Sequence, residues 1–170
     1  MLNKKITIKK ICISAILASL CYVFTMFISI PLSSTGYINL SDFFIVFTTI
    51  CIDPLCGLLV SIIGPSLADL TLGYYIYIPF TVLAKVLECI VVHLLFNKIN
   101  NKSKYLLIFI SSIVMASIYI MPDLIVLGFD QIIVALINFL FNTIQGIVGV
   151  ILGLIIYKIF KKYDLINKIG

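Results

Sequence analysis

The sequence predicts an all-α membrane protein with six transmembrane helices. Of its 170 residues 62% are hydrophobic and 11% are charged, and the mean hydropathy is +1.24, whereas soluble domains are about half apolar and a quarter charged. A bilayer core of about 30 Å needs about 20 helical residues for each crossing, so this length holds about six spans at most. Residues 1–170 are therefore predicted to form one six-helix domain, without a separate catalytic or ATP-binding module.

The lysines indicate which ends of the helices share a side of the membrane. All 12 basic residues are lysines, and 11 of them lie in three clusters at residues 4–10, 98–104 and 158–168. Because lysine-rich loops stay on the cytoplasmic side, both termini and the loop around Asn100 are predicted to be cytoplasmic. These clusters account for the net charge of +5. The sequence has no basic strip interleaved with exposed aromatic residues, so nucleic-acid binding is not indicated.

Prolines and polar turns place the helices along the chain. The first is expected from Ile8 to Ile30, stopped by Pro31 and followed by a polar turn at residues 33–36. The others are expected at Asp42–Ile52, Leu55–Leu72, Pro79–Phe96, Tyr105–Met121 and Gln131–Phe160, with Asp123 and Asp130 in the last connection. The second helix is only about 17 Å long, so it tilts little, extends back into residues 37–40, or lies in protein rather than lipid.

Charged residues within the spans lie toward the ends opposite the lysine clusters. One charge in a span costs about 2.5–3.5 kcal/mol on insertion scales, so such positions are informative about function. Lys85 lies six residues past Pro79, about 9 Å inward, and Glu88 lies one turn deeper. Asp69 on the third helix is at a depth that allows a contact with Lys85.

Three amides form one stripe on the sixth helix. Asn138, Asn142 and Gln145 are spaced by four and three residues, which places them within about 60° of one another. Three glycines continue this face toward the lysine clusters, at Gly146, Gly149 and Gly153, and small residues permit close helix contact. The stripe therefore predicts a pocket that opens outward and is closed at its inner end.

Two interpretations of these polar residues remain open. They line a pocket, or Lys85 forms an ion pair with Glu88 or Asp69 while the amides hold helices together. Tyr74, Tyr75 and Tyr77 are likewise suited to stacking on a flat ligand or to an interfacial aromatic belt.

Metal and hydrolase sites are not indicated. The five cysteines form no CxxC pair, so neither a disulfide framework nor a zinc site is predicted. His93 is the only histidine, and it lies near the inner end of its helix, rotated about 80° from Lys85. No serine or cysteine is spaced for a triad with a histidine and an acid, so we expect no enzyme activity, metal or cofactor.

Between Gly36 and Glu88 the residues resemble the substrate-binding S components of energy-coupling factor (ECF) transporters. The family carries G-x-x-N-L-G-D, G-P-x-x-G, G-x-x-x-A-D-L, G-Y-x-x-Y-x-P-x-T and K-x-x-E-G in this order. The matching residues here are Gly36, Asn39, Leu40 and Asp42; Pro54 and Gly57; Gly64, Ala68, Asp69 and Leu70; Gly73, Tyr74, Tyr77, Pro79 and Thr81; Lys85 and Glu88. The chain departs from the pattern at Ser41, Asp53 and Cys89, where the family has glycine.

The resemblance implies a multi-pass cell-membrane protein that binds a vitamin or related micronutrient on its outer side. It also implies partners, namely a transmembrane coupling subunit and two cytoplasmic ATPases, and this chain has no GxxxxGK[ST] phosphate loop of its own. The candidate substrate-binding residues are Asn39, Asp42, Tyr74, Tyr77, Lys85, Glu88, Asn138, Asn142 and Gln145. The candidate interface with the coupling subunit is the small-residue element of the first helix, Ser14, Ala15, Ala18 and Ser19.

The sequence restricts the ligand only by class. The chain has no arginine and no tryptophan, which argues against a bidentate anion clamp and favours a small, mostly neutral heteroaromatic compound. Thiamine-related pyrimidines, pyridoxine, riboflavin and pantothenate remain open. A self-sufficient secondary transporter is the alternative function, although no internal repeat of two halves is visible.

Overall fold

The computed structural model describes residues 7–32, 36–98 and 104–166, which form six α-helices and one β-hairpin. The helices are α1 (Ile8–Phe27), α2 (Ser41–Cys51), α3 (Pro54–Leu72), α4 (Ile78–Lys98), α5 (Lys104–Leu127) and α6 (Ile132–Lys162), and the strands are β1 (Ile30–Leu32) and β2 (Gly36–Ile38). Five of the helices are long and apolar enough to cross a membrane, and α2 is shorter. The predicted all-α membrane fold with six helices is thus confirmed.

The bundle has two ends that differ in chemistry. Lysines lie at the starts of α1 and α5 and at the ends of α4 and α6, and we call this the lysine-rich end. The β1–β2 hairpin, the α3–α4 connection and the short 3-10 turn Phe129–Gln131 before α6 lie at the opposite end, which we call the hairpin end.

The short helix α2 lies at the centre of the bundle. It packs against α1, α3, α4 and α6, and nine of its 11 residues are buried. The buried hydroxyls of Thr48 and Thr49 donate to the carbonyls of Phe44 and Ile45, both at 2.7 Å. Of the three sequence-based alternatives, the structure therefore supports a helix enclosed by protein, which does not need the length of a lipid-facing span.

The glycines of α6 allow α2 to approach closely. A Cβ added at Gly149 would overlap the side chain of Asp42, and one at Gly153 would overlap Val46. Because any larger residue would push the two helices apart, these positions confirm the close helix contact that the glycine spacing predicts.

The first helix ends three residues earlier than predicted. It stops at Phe27, and Ile30 pairs with Ile38 in the antiparallel hairpin. The physical reason is Pro31, which forces the residue before it into an extended conformation and so prevents the helix from reaching Ile30. Of the predicted polar turn, residues 33–35 lie outside the described ranges and Gly36 belongs to β2.

The fifth helix continues past Met121, where it was predicted to end. It runs through Pro122 to Leu127 and ends at Gly128, whose φ of 86° is left-handed. Asp123 is therefore a buried helical residue, and its predicted place in a connection is wrong, whereas Asp130 lies in the exposed 3-10 turn. The other helix boundaries differ from the predicted ones by at most two residues.

One ion pair fixes the start of α1 at the lysine-rich end. Lys10 Nζ lies 3.3 Å from Asp53 Oδ2, and Asp53 Oδ1 also accepts a hydrogen bond from the backbone N–H of Leu55 at 3.0 Å. Asp53 thus caps α3 and ties the α2–α3 turn to α1. This turn carries no lysine of its own, but it is held by one.

We expect Gly149→Ala to destabilise the protein by about 1–3 kcal/mol, because the added methyl group overpacks the α2–α6 contact. Thermal unfolding in detergent measures the effect. The matched control is Gly36→Ala, where an added Cβ has no atom within 4 Å. Equal melting temperatures for the two variants would contradict the close packing of α2 and α6.

Candidate functional site

A cavity lies at the hairpin end, between α3, α4, α5 and α6 and beneath the hairpin. It is narrow: the space open to the centre of a water-sized molecule is about 30 Å³, and the empty volume reaches about 470 Å³ only when the open mouth is included. Its lining consists of Gly36, Tyr37, Asn39, Pro65, Asp69, Tyr74, Tyr77, Thr81, Lys85, Tyr119, Asp123, Asn138, Asn142 and Gln145.

Most of the residues singled out from the sequence meet at this cavity. Seven of the nine candidates line it: Asn39, Tyr74, Tyr77, Lys85, Asn138, Asn142 and Gln145. Asp42 and Glu88 do not line it, because both side chains are fully buried behind the lining residues. Their predicted contact with a substrate stays a prediction.

The floor of the cavity is a buried polar network that joins three helices. Lys85 of α4 donates to Asp42 Oδ1 of α2, and Gln145 of α6 donates to Asp42 Oδ2. Lys85 is 1% exposed and Asp42 is fully buried. The predicted ion pair of Lys85 with Asp69 or Glu88 is therefore wrong, because the central position of α2 brings Asp42 between α4 and α6.

Glu88 extends the buried charge cluster one turn below Lys85. It is fully buried and interacts electrostatically with both Asp42 and Lys85. Lys85 attracts the Glu88 carboxylate, whereas the like charge of Asp42 repels it. Among these three charged groups, only the lysine therefore offsets the cost of burying the two carboxylates.

Two tyrosine–carboxylate pairs form the walls. Tyr37 donates to Asp69 Oδ1 at 2.6 Å, and Tyr77 donates to Asp123 Oδ1 at 2.6 Å. Asn138 completes the second pair by donating to Asp123 Oδ2 at 3.1 Å. Burial, reinforced by the neighbouring carboxylate of Asp69, raises the pKa of the Tyr37 hydroxyl, so this hydroxyl remains a hydrogen-bond donor.

Aromatic rings surround the space between these walls. The ring centroids of Tyr37 and Tyr74 are 5.1 Å apart, and those of Tyr74 and Tyr77 are 5.9 Å apart at nearly a right angle. Tyr119 lies on the α5 side, with the Lys85 ammonium 6.0 Å from its ring centroid. Tyr75 is 64% exposed and does not line the cavity, so only part of the tyrosine cluster faces the site.

The hairpin is attached to the floor by hydrogen bonds. The backbone N–H of Asn39 donates to Gln145 Oε1 at 2.9 Å, and the Asn39 side chain accepts from the Ser41 backbone N–H at 2.9 Å. Gln145 also donates to Asp42. The Gln145 side chain therefore links the hairpin segment that covers the cavity to the polar network that forms its floor.

The sequence analysis missed the contribution of α5. Tyr119 and Asp123 both line the cavity, and with Ser111 and Met115 they form an i, i+4 series that faces inward. This spacing was a usable signal, but ending the helix at Met121 placed Asp123 in a connection and so concealed it. Tyr37 and Thr81 were also missed, since neither carries a charge and Tyr37 reaches the cavity only through the hairpin.

Outside the cavity, His93 lies near the lysine-rich end, where Asn97 donates to its carbonyl at 2.9 Å. In the described part of the chain no three histidine, cysteine or acidic residues are grouped as metal ligands.

The small-residue element of α1 is divided between two faces. Ser14 and Ala18 are buried, and the Ala18 carbonyl faces Gly64 of α3. Ala15 and Ser19 are exposed along a shallow apolar surface. Contact with a partner therefore remains a prediction for Ala15 and Ser19 alone.

The comparisons with known proteins agree with this architecture. A sequence model of the family described as ECF-type riboflavin transporter, S component, matches residues 5–162, a range that contains all six helices. No curated protein matches the chain.

We expect Lys85→Met to lower the free energy of unfolding by about 3–5 kcal/mol, because it leaves Asp42 charged and buried without its partner. Thermal unfolding in detergent measures this loss, and the double variant Lys85→Met with Asp42→Asn should recover part of it. Lys98→Met at the exposed end of α4 is the control. A single variant as stable as this control would show that the floor does not depend on the ion pair.

Proposed function

The chain belongs to the family of S components of ECF-type riboflavin transporters, and from this premise we propose that its cavity captures riboflavin for ATP-driven import. The observation that carries the proposal is a cavity with tyrosine and amide walls at the hairpin end, closed below by the network of Asp42, Lys85 and Gln145. Such a site binds a ligand without any reactive group of its own, as a transporter subunit requires.

The charge distribution supports capture from outside the cell. Among the described residues, the lysines at the starts of α1 and α5 and at the ends of α4 and α6 lie at the end opposite the cavity, and lysine-rich ends face the cytoplasm. The hairpin end is then external, and both termini are cytoplasmic. Riboflavin enters under the hairpin, and the buried network of the floor prevents its direct passage to the cytoplasm.

The chemistry of the lining suits a flat heteroaromatic ring. Tyr74 and Tyr77 offer aromatic rings for stacking, and the amides of Asn138 and Asn142 line the same cavity. Riboflavin is an uncharged tricyclic compound with ring N–H and carbonyl groups and a polyhydroxylated chain, so its polar atoms match amide and carboxylate partners. Among the vitamins that the sequence left open, it is the one that the family description names.

Delivery into the cell requires partners in this proposal. A transmembrane coupling subunit and two cytoplasmic ATPases supply the energy, because the sequence contains no phosphate-binding loop. The exposed small residues Ala15 and Ser19 of α1 permit a partner helix to approach closely. The chain therefore acts as the substrate-binding subunit of a larger importer rather than as an enzyme.

We expect the purified protein to bind riboflavin, and Asn142→Ala to raise the Kd about 5- to 100-fold, the cost of losing one buried hydrogen bond. Quenching of flavin fluorescence measures the Kd, and mass spectrometry of extracted protein identifies any molecule that is retained. Asn97→Ala, at the exposed lysine-rich end of α4, should leave the Kd unchanged. Equal effects of the two variants would contradict binding in this cavity.

We expect the double variant Ala15→Leu with Ser19→Leu to abolish ATP-dependent riboflavin uptake while the isolated subunit keeps its affinity, because bulky side chains prevent close docking of a partner helix. Uptake into vesicles containing the coupling subunit and ATPases is the measurement. Ser117→Leu, an equally enlarged exposed position on α5, is the control. Gradient-driven uptake by the chain alone would instead support a self-sufficient secondary transporter.

A further inference from the structure

We propose that the lysine-rich end carries a binding site for the headgroup of one anionic phospholipid, formed by Lys104 of α5 and Lys161 of α6 beside the ring of Tyr157. This site lies at the end of the bundle opposite the cavity, and it does not depend on which ligand the cavity binds. Three observations carry the proposal: two ammonium groups converge on one ring, the helix dipole of α5 leaves Lys104 uncompensated, and the adjoining surface is apolar.

Three helices bring the two ammonium groups to one pair of aromatic rings. Phe96 near the end of α4 and Tyr157 near the end of α6 make an edge-to-face contact, with ring centroids 5.0 Å apart. Lys104 Nζ lies 5.5 Å from the Phe96 centroid and 5.7 Å from the Tyr157 centroid. Lys161 Nζ lies 6.0 Å from the Tyr157 centroid. Both lysines therefore extend flexible side chains to the same ring, and both are able to reach one phosphate group there.

The positive charge of these lysines is not cancelled by carboxylates. The ion pairs that the described residues form lie elsewhere, one between α1 and the α2–α3 turn and one in the floor of the cavity. Along the sequence, residues 89–122 contain no acidic residue, and residues 131–170 contain only Asp164. An aromatic ring attracts a cation through its quadrupole but carries no net charge. The rings of Phe96 and Tyr157 therefore orient Lys104 and Lys161 without neutralising them.

The helix dipole of α5 increases the positive charge around Lys104. This lysine is the first residue of α5, whose first turn contains no acidic residue, and the N-terminus is the positive end of a helix dipole. Lys161, by contrast, lies in the last turn of α6, where the dipole of its own helix stabilises a cation. The fold therefore accounts for the charge of Lys161, whereas Lys104 lies where an anion from outside would stabilise it.

The side chains next to Lys104 favour a lipid over a soluble anion. Tyr105 is 72% exposed, Leu106 54% and Phe109 53%, so the surface of α5 becomes apolar within one turn of the lysine. Tyrosine is typical of the headgroup level of a membrane, and exposed apolar side chains beyond it contact acyl chains. A phospholipid fits both parts, because its headgroup meets the ammonium groups while its acyl chains cover Leu106 and Phe109. In the proposed orientation this is the cytoplasmic leaflet, whose anionic lipids attract lysines.

The test measures phospholipid binding to the intact chain in detergent by native mass spectrometry. The probe is dioleoyl phosphatidylglycerol, and the reference is dioleoyl phosphatidylcholine, which has the same acyl chains and no net charge. We expect one phosphatidylglycerol molecule to bind about 30-fold more tightly than phosphatidylcholine, since each of two lysines near an anionic headgroup contributes about fivefold. The double variant Lys104→Gln with Lys161→Gln should lose most of this preference.

A second double variant separates a defined site from the general attraction of a basic surface. Lys158→Gln with Lys162→Gln removes the same charge from exposed positions at the end of α6, and Lys162 lies over the ring of Tyr163 instead, at 5.7 Å. This control should keep the preference for phosphatidylglycerol to within about threefold of the wild-type value. If the first double variant fails to fold, the single variant Lys161→Gln at an exposed position replaces it, with an expected loss of about fivefold.

Three results would overturn the proposal. Equal losses in the two double variants would indicate that net charge alone attracts the lipid. Equal binding of the two phospholipids by the wild-type protein would show that the site does not recognise an anionic headgroup. Displacement of the lipid by sn-glycerol 1-phosphate at the same concentration would assign the site to soluble anions, because this compound has the phosphate but no acyl chains.

Discussion

The buried ion pair between Lys85 and Asp42 is the interaction on which the rest of the structure depends. Within a bilayer, neither side chain is tolerated alone, because the uncompensated charge has no water to solvate it. The pair exists only when α2 and α4 meet, and the bond from Gln145 to Asp42 adds α6. A single electrostatic requirement thus fixes three helices and at the same time forms the floor of the cavity.

The central position of α2 follows from the same requirement. A helix of 11 residues is too short for a lipid-facing span, but it is stable where other helices surround it. The glycines of α6 allow this enclosure, since side chains at Gly149 or Gly153 would collide with α2. The face of α6 therefore has two parts: amides beside the cavity and glycines against the packed core below it.

The site and its cover are mechanically connected. Asn39 binds Gln145, and Tyr37 binds Asp69, so the hairpin that lies over the cavity is attached to both the floor and one wall. The Asp69 carboxylate lines the cavity and at the same time holds the hairpin in place. The lining of the cavity and the attachment of its cover therefore share side chains.

The sequence by itself determined the membrane class, the six helices to within three residues except for the end of α5, and the amide and glycine stripes of α6, because hydropathy and helical periodicity are local properties. It also placed Lys85 and the amides at a common depth. Only the tertiary structure decided that Asp42 rather than Asp69 pairs with Lys85, that α5 contributes Tyr119 and Asp123, and that a hairpin follows α1. These depend on which helices become neighbours: the short α2 lies in the centre, and Asp123, beyond the predicted end of α5 at Met121, bonds to Tyr77 and Asn138 across the bundle.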